Sequence, residues 1–243
     1  MDRMIYLGMA GAKANMQRQE ILSHNLANVS TTGFRAQMMA FRAAPVRGDG
    51  ATTRVFQQET TLGYDDTQGP ITSTGRNLDV AMKGKAWMSV QGLDGNEAYT
   101  RAGQLEVSPE GLLVTNQGLQ VQSESGPIQV PVNAEVLVAD DGTVSARVGA
   151  QRPQPVGRIK LVTPEQPLVR GEDGLFRTST RDPVDPDPNA RLQGSALEGS
   201  NVNPIETLVA MLSSARQYET QAKLLSTAQS DAQAASRLLS NNA

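Results

Sequence analysis

The chain has 243 residues, a formal net charge of −3, no cysteine and one histidine, at position 24. Disulfides, thiolate metal sites and cysteine nucleophiles are thereby excluded, and there is no large basic field to gather nucleic acid or anionic lipid. Charged residues make up 19% and aromatics 4%, both low, so the length suffices for one or two domains whose cores hold few large rings.

From Asp2 to about Asn28 the pattern is helical. Ile5, Met9, Ala12, Met16 and Leu26 fall on one stripe of the 3.6-residue period, and Leu7, Ala10, Ala14 and Ile21 project to roughly the opposite side. A surface helix needs one apolar stripe; two opposed stripes need two partners. The segment does not read as a secretory signal, because its apolar run is short, is broken by Gly8 and Gly11, and soon meets Lys13. No apolar stretch of about 18 residues occurs anywhere, so no membrane span is expected. The helix leaves through "SHNLANVSTTGFR" (Ser23 to Arg35). Asn25 and Asn28 favour caps and turns, Thr31 is β-branched, and Gly33 is free to take a positive φ. Such an exit offers partners to the carbonyls freed at a helix end.

A β-rich middle follows. "NLDVAMKGKAWMSVQGLDGNEAYTRAGQLEVSPEGLLVTNQGLQVQ" holds short β-prone runs separated by turn signals at Asp94-Gly95, Pro109-Glu110-Gly111 and Asn116-Gln117-Gly118. Asp141-Gly142 and Asp173-Gly174 mark two more hairpins. Turns this close together suit an antiparallel sheet or small barrel, not βαβ units. Trp87 alternates along a strand and is expected in the core. Ala44–Arg54 and Arg181–Ser195 read as linkers.

The last segment starts with helix signals: Asn203 as N-cap, Pro204 at the first helical position and Glu206 as the third-position acid. Leu208, Met211, Ala215, Tyr218, Ala222, Leu225, Gln229, Ala232, Ser236 and Leu239 are spaced alternately three and four apart. That seam implies left-handed coiled-coil packing, and a four-helix-bundle helix could carry the same pattern. The fold class expected is α+β: a discontinuous N- and C-terminal α-helical coiled-coil domain (1–32 and 200–243) with an inserted antiparallel β-rich domain (74–181). Extended connecting segments run over 33–73 and 182–199.

Little chemistry is offered. One histidine without cysteine supports neither a nucleophilic triad nor a zinc site. Asp65-Asp66 and Asp140-Asp141 sit in turn-like contexts, and "DPVDPDP" (Asp182 to Pro188) reads as a stiff spacer, not a calcium loop. "GKAWMSVQG" lacks the ending of a phosphate-binding loop. No catalytic residue, cofactor or metal is expected. A carboxylate-dependent wall hydrolase would need two converging carboxylates, and an adhesin-like module would have no use for the two terminal helices.

Four motifs in order carry a resemblance: "NLANVSTTGFR" (Asn25 to Arg35), "TGRNLDVAMKG" (Thr74 to Gly84), "YTRAGQLEVSPEGLLVTNQGLQV" (Tyr99 to Val121) and "LEGSNVNPIETLVAMLSSARQYE" (Leu197 to Glu219). With them nearly the whole chain resembles the rod and hook family of bacterial flagellar axial proteins. "MDRMIYLGMAGA" and "GFRAQMMAFRAAPV" look most like proximal-rod members. One departure is Lys85-Ala86-Trp87-Met88, where many relatives carry Gly-Phe-Phe. The resemblance implies a non-enzymatic structural subunit of the periplasm-spanning rod that transmits torque, with a distal-rod or hook subunit as the alternative. It further implies export by the flagellar type III apparatus without cleavage, and partnership with copies of itself and other rod proteins. The assembly surface expected from stripes, seam and motifs comprises Ile5, Met9, Ala12, Met16, Asn25, Leu26, Asn28, Thr31, Gly33 and Phe34 at one end. At the other it comprises Asn201, Asn203, Leu208, Met211, Leu212, Ala215, Tyr218, Ala222 and Leu225.

Overall fold

The computed structural model describes the backbone of residues 2–45, 55–132 and 134–240. Side chains are described there except at 2–7, 41–45, 55–62, 232 and 235–240. The first element is the helix α1 (Asp2–Ala27). The polar exit closes it: the Asn28 amide donates to the carbonyls of His24 (3.3 Å) and Asn25 (3.2 Å), and the Asn28 side chain donates to the His24 carbonyl at 2.9 Å. Strands β1 (Gln37–Pro45) and β2 (Val55–Tyr64) then pair in a two-stranded sheet. The linker expected at Ala44–Arg54 falls, over 46–54, outside the described residues.

Short strands follow: β3 (Ile71–Ser73), β4 (Val80–Met82), β5 (Trp87–Gln91), β6 (Glu97–Thr100), β7 (Leu105–Val107), β8 (Leu113–Thr115), β9 (Gln122–Ser123) and β10 (Gly126–Pro127). Then come β11 (Glu135–Val138), β12 (Thr143–Arg147), β13 (Gln154–Arg158), β14 (Leu161–Val162), β15 (Val169–Arg170) and β16 (Phe176–Arg177). The last strands are β17 (Leu192–Gly194) and β18 (Ala196–Glu198), before the long helix α2 (Pro204–Ser240). A five-stranded sheet has the order β14-β5-β6-β16-β15 and a three-stranded one β11-β12-β13. Every register given between strands of this β-rich part is antiparallel, as expected of a chain that turns this often. The Asp94-Gly95, Asp141-Gly142 and Asp173-Gly174 turns join β5 to β6, β11 to β12 and β15 to β16. β17 and β18 fall in the stretch expected as connecting chain, and they pair with β4 and β3.

The fold is therefore α+β, in two compact units. One unit comprises Met1–Val29, Gln37–Gly63 and Val202–Ala243, and the other Ser30–Ala36 and Tyr64–Asn201. The β-rich unit holds the apolar core, built on Val80, Met82, Met88, Leu105, Leu113 and Leu192. A second cluster sets Trp87 against Phe176, with ring centroids 4.6 Å apart, and against buried Tyr99. Trp87 is thus a core residue, as its strand position implied. The Tyr99 hydroxyl accepts the Val184 amide at 2.7 Å, which ties the proline-rich spacer to the unit.

Burial pushes the Tyr99 hydroxyl up to about 12 from its ordinary 10, the Val184 hydrogen bond opposing it. A raised folded-state value on an acid that is neutral when protonated favours the native state below pH 10. That contribution disappears as pH rises through the folded value. Two pH units correspond to at most about 2–3 kcal/mol. The urea midpoint of the full chain is expected to fall between pH 10 and pH 12, and Tyr99→Phe to fall less steeply over the same range. Parallel pH slopes for the two proteins would contradict this.

Candidate functional site

The most densely bonded polar group in the β-rich unit surrounds one carboxylate. Glu198, at the end of β18, is fully buried. Its Oε2 accepts the Arg101 Nε at 2.8 Å, and its Oε1 lies 2.9 Å from Arg35 Nη2 and accepts the Gly69 amide at 3.1 Å. Arg101 spends its other N–H groups on the carbonyls of Met82 (3.1 Å) and Gly84 (2.9 Å). Arg35 Nη1 donates to the Thr67 carbonyl. Both guanidiniums are as buried as the carboxylate between them. Burial, and next the Arg101 charge, pull the Arg35 guanidinium below its ordinary value, with Glu198 opposing the shift.

The backbone around this triad is equally constrained. Gly33 has φ 68° and donates its amide to the Glu198 carbonyl at 2.8 Å. A β carbon there would lie 2.2 Å from the Arg101 carbonyl carbon, so only glycine fits. Phe34 is buried beneath the Arg170 guanidinium, 4.5 Å from ring centroid to charge. The Asn201 side chain accepts the Ala36 amide at 2.7 Å and donates to the Asp65 and Thr67 carbonyls, both at 3.0 Å. Gly33, Phe34 and Asn201, expected at an assembly surface, are occupied inside their own unit. The polar motif residues satisfy backbone groups that a tight crossing of chain segments would otherwise leave bare.

The helical unit is built differently. α1 and α2 run antiparallel, since Gly8, Gly11 and Asn15 of α1 meet Leu225, Gln221 and Ser214 of α2. The Ser214 hydroxyl donates to the Asn15 carbonyl at 3.2 Å, and a β carbon on Gly8 or Gly11 would clash with the opposite side chain at 2.6–2.7 Å. The contact face of α1 lies between the two expected stripes. On α2 the buried positions are Thr207 and Ser214, one residue short of the expected Leu208 and Ala215. Small and polar residues let the helices approach closely, and the contact takes in Leu225 of the seam but leaves Leu208, Tyr218 and Ala222 exposed.

The exposures follow from that shift. Met9 (56%), Met16 (58%), Val209 (62%) and Leu212 (63%) stand open, with Leu208, Tyr218 and Ala222 also exposed. Ala12, Leu26, Met211, Ala215 and Leu225 are half-buried, while the Ile5 side chain lies outside those described. Asn25 is buried and its side chain exchanges two hydrogen bonds of 2.9 Å with the backbone of Gln37. Thr31 accepts the Phe34 amide on its carbonyl, and Asn203 caps α2 by accepting the amides of Ile205 (3.1 Å) and Glu206 (3.4 Å). Sequence reasoning missed Arg35, Arg101 and Glu198. The signal was present: each is a charge inside a motif of small and apolar neighbours.

The chain thus combines paired terminal helices carrying exposed apolar residues with a β-rich unit closed on a buried ionic clasp. Models of three families match along the chain: "Flagella basal body rod protein" at 5–35, "Flagellar hook protein FlgE/F/G D1 domain" at 81–146 and "Flagellar basal body rod FlgEFG protein C-terminal" at 193–238. The chain is 45% identical to the flagellar basal-body rod protein FlgF of Escherichia coli K12 and 42% identical to that of Salmonella typhimurium LT2. Each alignment covers 99% of both chains. A FlgG of Buchnera aphidicola is 30% identical over 96% of this chain and 98% of its own. The chain belongs to the flagellar basal-body rod protein family, and among these relatives it is most like FlgF.

Removing the carboxylate leaves two buried guanidiniums without a counter-charge, a change worth about 3–5 kcal/mol. Glu198→Ala is therefore expected to lower the urea midpoint sharply. Asp141→Ala, in an exposed turn, should stay within about 1 kcal/mol of the parent. Similar midpoints for the two variants would contradict the clasp.

Proposed function

We propose that the chain is a structural subunit of the proximal rod that polymerises through its terminal helices, residues 1–32 and 200–243, with 74–181 as an outer domain. One observation carries this. Among the described residues of α1 and α2 no apolar side chain is buried; the buried ones are Asn25, Thr207 and Ser214. Helices in proteins draw most of their stability from a buried apolar face. The described parts of these two helices (26 and 37 residues) leave Met9, Met16, Leu208, Val209 and Leu212 exposed for other subunits to cover. At roughly 25 cal/mol per Å² of apolar area, that coverage drives association.

In this reading the coiled-coil seam through Leu208, Met211, Ala215, Tyr218 and Ala222 closes between subunits, while Leu225 meets Gly8 of its own chain. Partners are copies of the chain and other rod proteins. The subunit passes through the flagellar type III apparatus uncleaved and works in the periplasmic part of the basal body, carrying torque. Heterologous contacts that do not close on themselves produce a helical shaft. Among the described residues no helix is long and apolar enough to cross a membrane, which fits a subunit held by its neighbours.

Leu212→Asp and Ala215→Arg are expected to abolish incorporation into rods and motility in a flagellated host that depends on this chain. The near-ultraviolet dichroism of Trp87 in purified protein should be unchanged. Normal motility and normal rod incorporation of either variant would contradict the proposal.

A further inference from the structure

Two open surfaces of the helical unit match each other. The first is a ridge on α1: Met9, Lys13, Met16 and Glu20 are all exposed and are spaced four, three and four apart. The second is a stripe on α2: Ile205, Val209, Leu212 and Arg216, also all exposed and also spaced four, three and four. Val209, Leu212 and Arg216 of the α2 stripe line one wall of an open groove of about 710 Å³, whose other wall is the Ala14 and Arg18 side of α1; Ile205 continues the stripe just beyond the groove. At 100° per residue the ridge and the groove wall of α1 lie about 180° apart around the helix. One copy therefore shows ridge and groove on opposite sides.

The charges match as well. The ionisable groups lining the groove are Arg18 and Arg216, both exposed. The carboxylate on the ridge is Glu20, and among the described residues none of the three has an ion-pair partner. We infer that the groove is filled by the α1 ridge of a second copy of this chain, running parallel to α2. In that register Met9 meets Ile205, the Lys13 stem covers Val209, Met16 meets Leu212, and Glu20 pairs with Arg216. Equal spacing lets all four contacts form together, because side chains at i, i+4, i+7 and i+11 share a face on both helices. The Lys13 amine stays in water at the edge. Because ridge and groove are different surfaces, the contact is heterologous and each added copy presents a fresh groove.

This inference rests on the proposed polymerisation and names the surfaces that perform it. The chain has no cysteine, so single cysteines report cleanly. Full-length Met16→Cys and Leu212→Cys proteins, mixed at high concentration under mild oxidant, should cross-link to each other in excess of either alone. The doubly substituted chain should give a ladder of multimers. Glu20→Arg should lower the cross-linking yield about two- to fivefold, the scale of one exposed ion pair, and adding Arg216→Glu should restore it. Cross-linking no faster than with exposed Ser125→Cys, or Met16→Cys pairs predominating, overturns the inference. So does an unchanged yield with Glu20→Arg. Failure of the two readings separates in the host: incorporation into rods without the cross-link sinks the ridge-and-groove contact alone. A cross-link without incorporation sinks the rod subunit and leaves the contact standing.

Discussion

A carboxylate with no access to water is tolerable only if charge and hydrogen bonds surround it. At Glu198 those come from Arg35 and Arg101, residues far apart in the chain. Three segments must therefore arrive together or not at all. Nothing in this geometry makes the triad a large net source of stability, since well-packed apolar residues could do as well. What it supplies is discrimination: a misplaced segment leaves an unpaired buried charge. The chain passes between its two units at Val29–Ser30, Ala36–Gln37, Gly63–Tyr64 and Asn201–Val202. Asn201 ties Ala36, Asp65 and Thr67 within the β-rich unit.

The helical unit shows the opposite economy. Where α1 meets α2, Gly8 and Gly11 face Leu225 and Gln221, and Asn15 bonds Ser214. Close approach through small residues gives many weak contacts but covers little apolar area. Met9, Met16, Leu208, Leu212 and Leu224 remain exposed on the two helices. The β-rich unit closes on its own apolar core, whereas the described side chains of the two helices include no fully buried apolar residue.

Local features of this architecture were legible in the sequence. The Asn203 cap, Pro204 start, the aspartate–glycine hairpins and the burial of Trp87 each follow from a residue's own backbone preference or from period-two alternation. The two stripes on α1 and the seam on α2 were also legible as apolar patterns. Which face the two helices turn to each other was not. That depends on the approach distance the glycines permit, a property of the pair and not of either helix. The clasp was hidden for a related reason. Arg35, Arg101 and Glu198 look like ordinary surface charges until the segments before β1, after β6 and at the end of β18 come together. The motif asparagines read as assembly contacts in the sequence, and the structure adds a role invisible there: Asn25 and Asn201 answer the hydrogen-bonding needs of the backbone at Gln37, Ala36 and Asp65.

Amide hydrogen exchange on the dilute, full-length monomer tests the central claim most directly. Slow exchange is predicted through the β-rich unit, including Gly33 and Asn201. Fast exchange is predicted through Met9–Ala27 and Leu208–Leu225, becoming slow only when the same protein is packed among other subunits. Helices as strongly protected in the lone molecule as strands β5 and β6 would show that one copy hides its own apolar faces, and the account would fail.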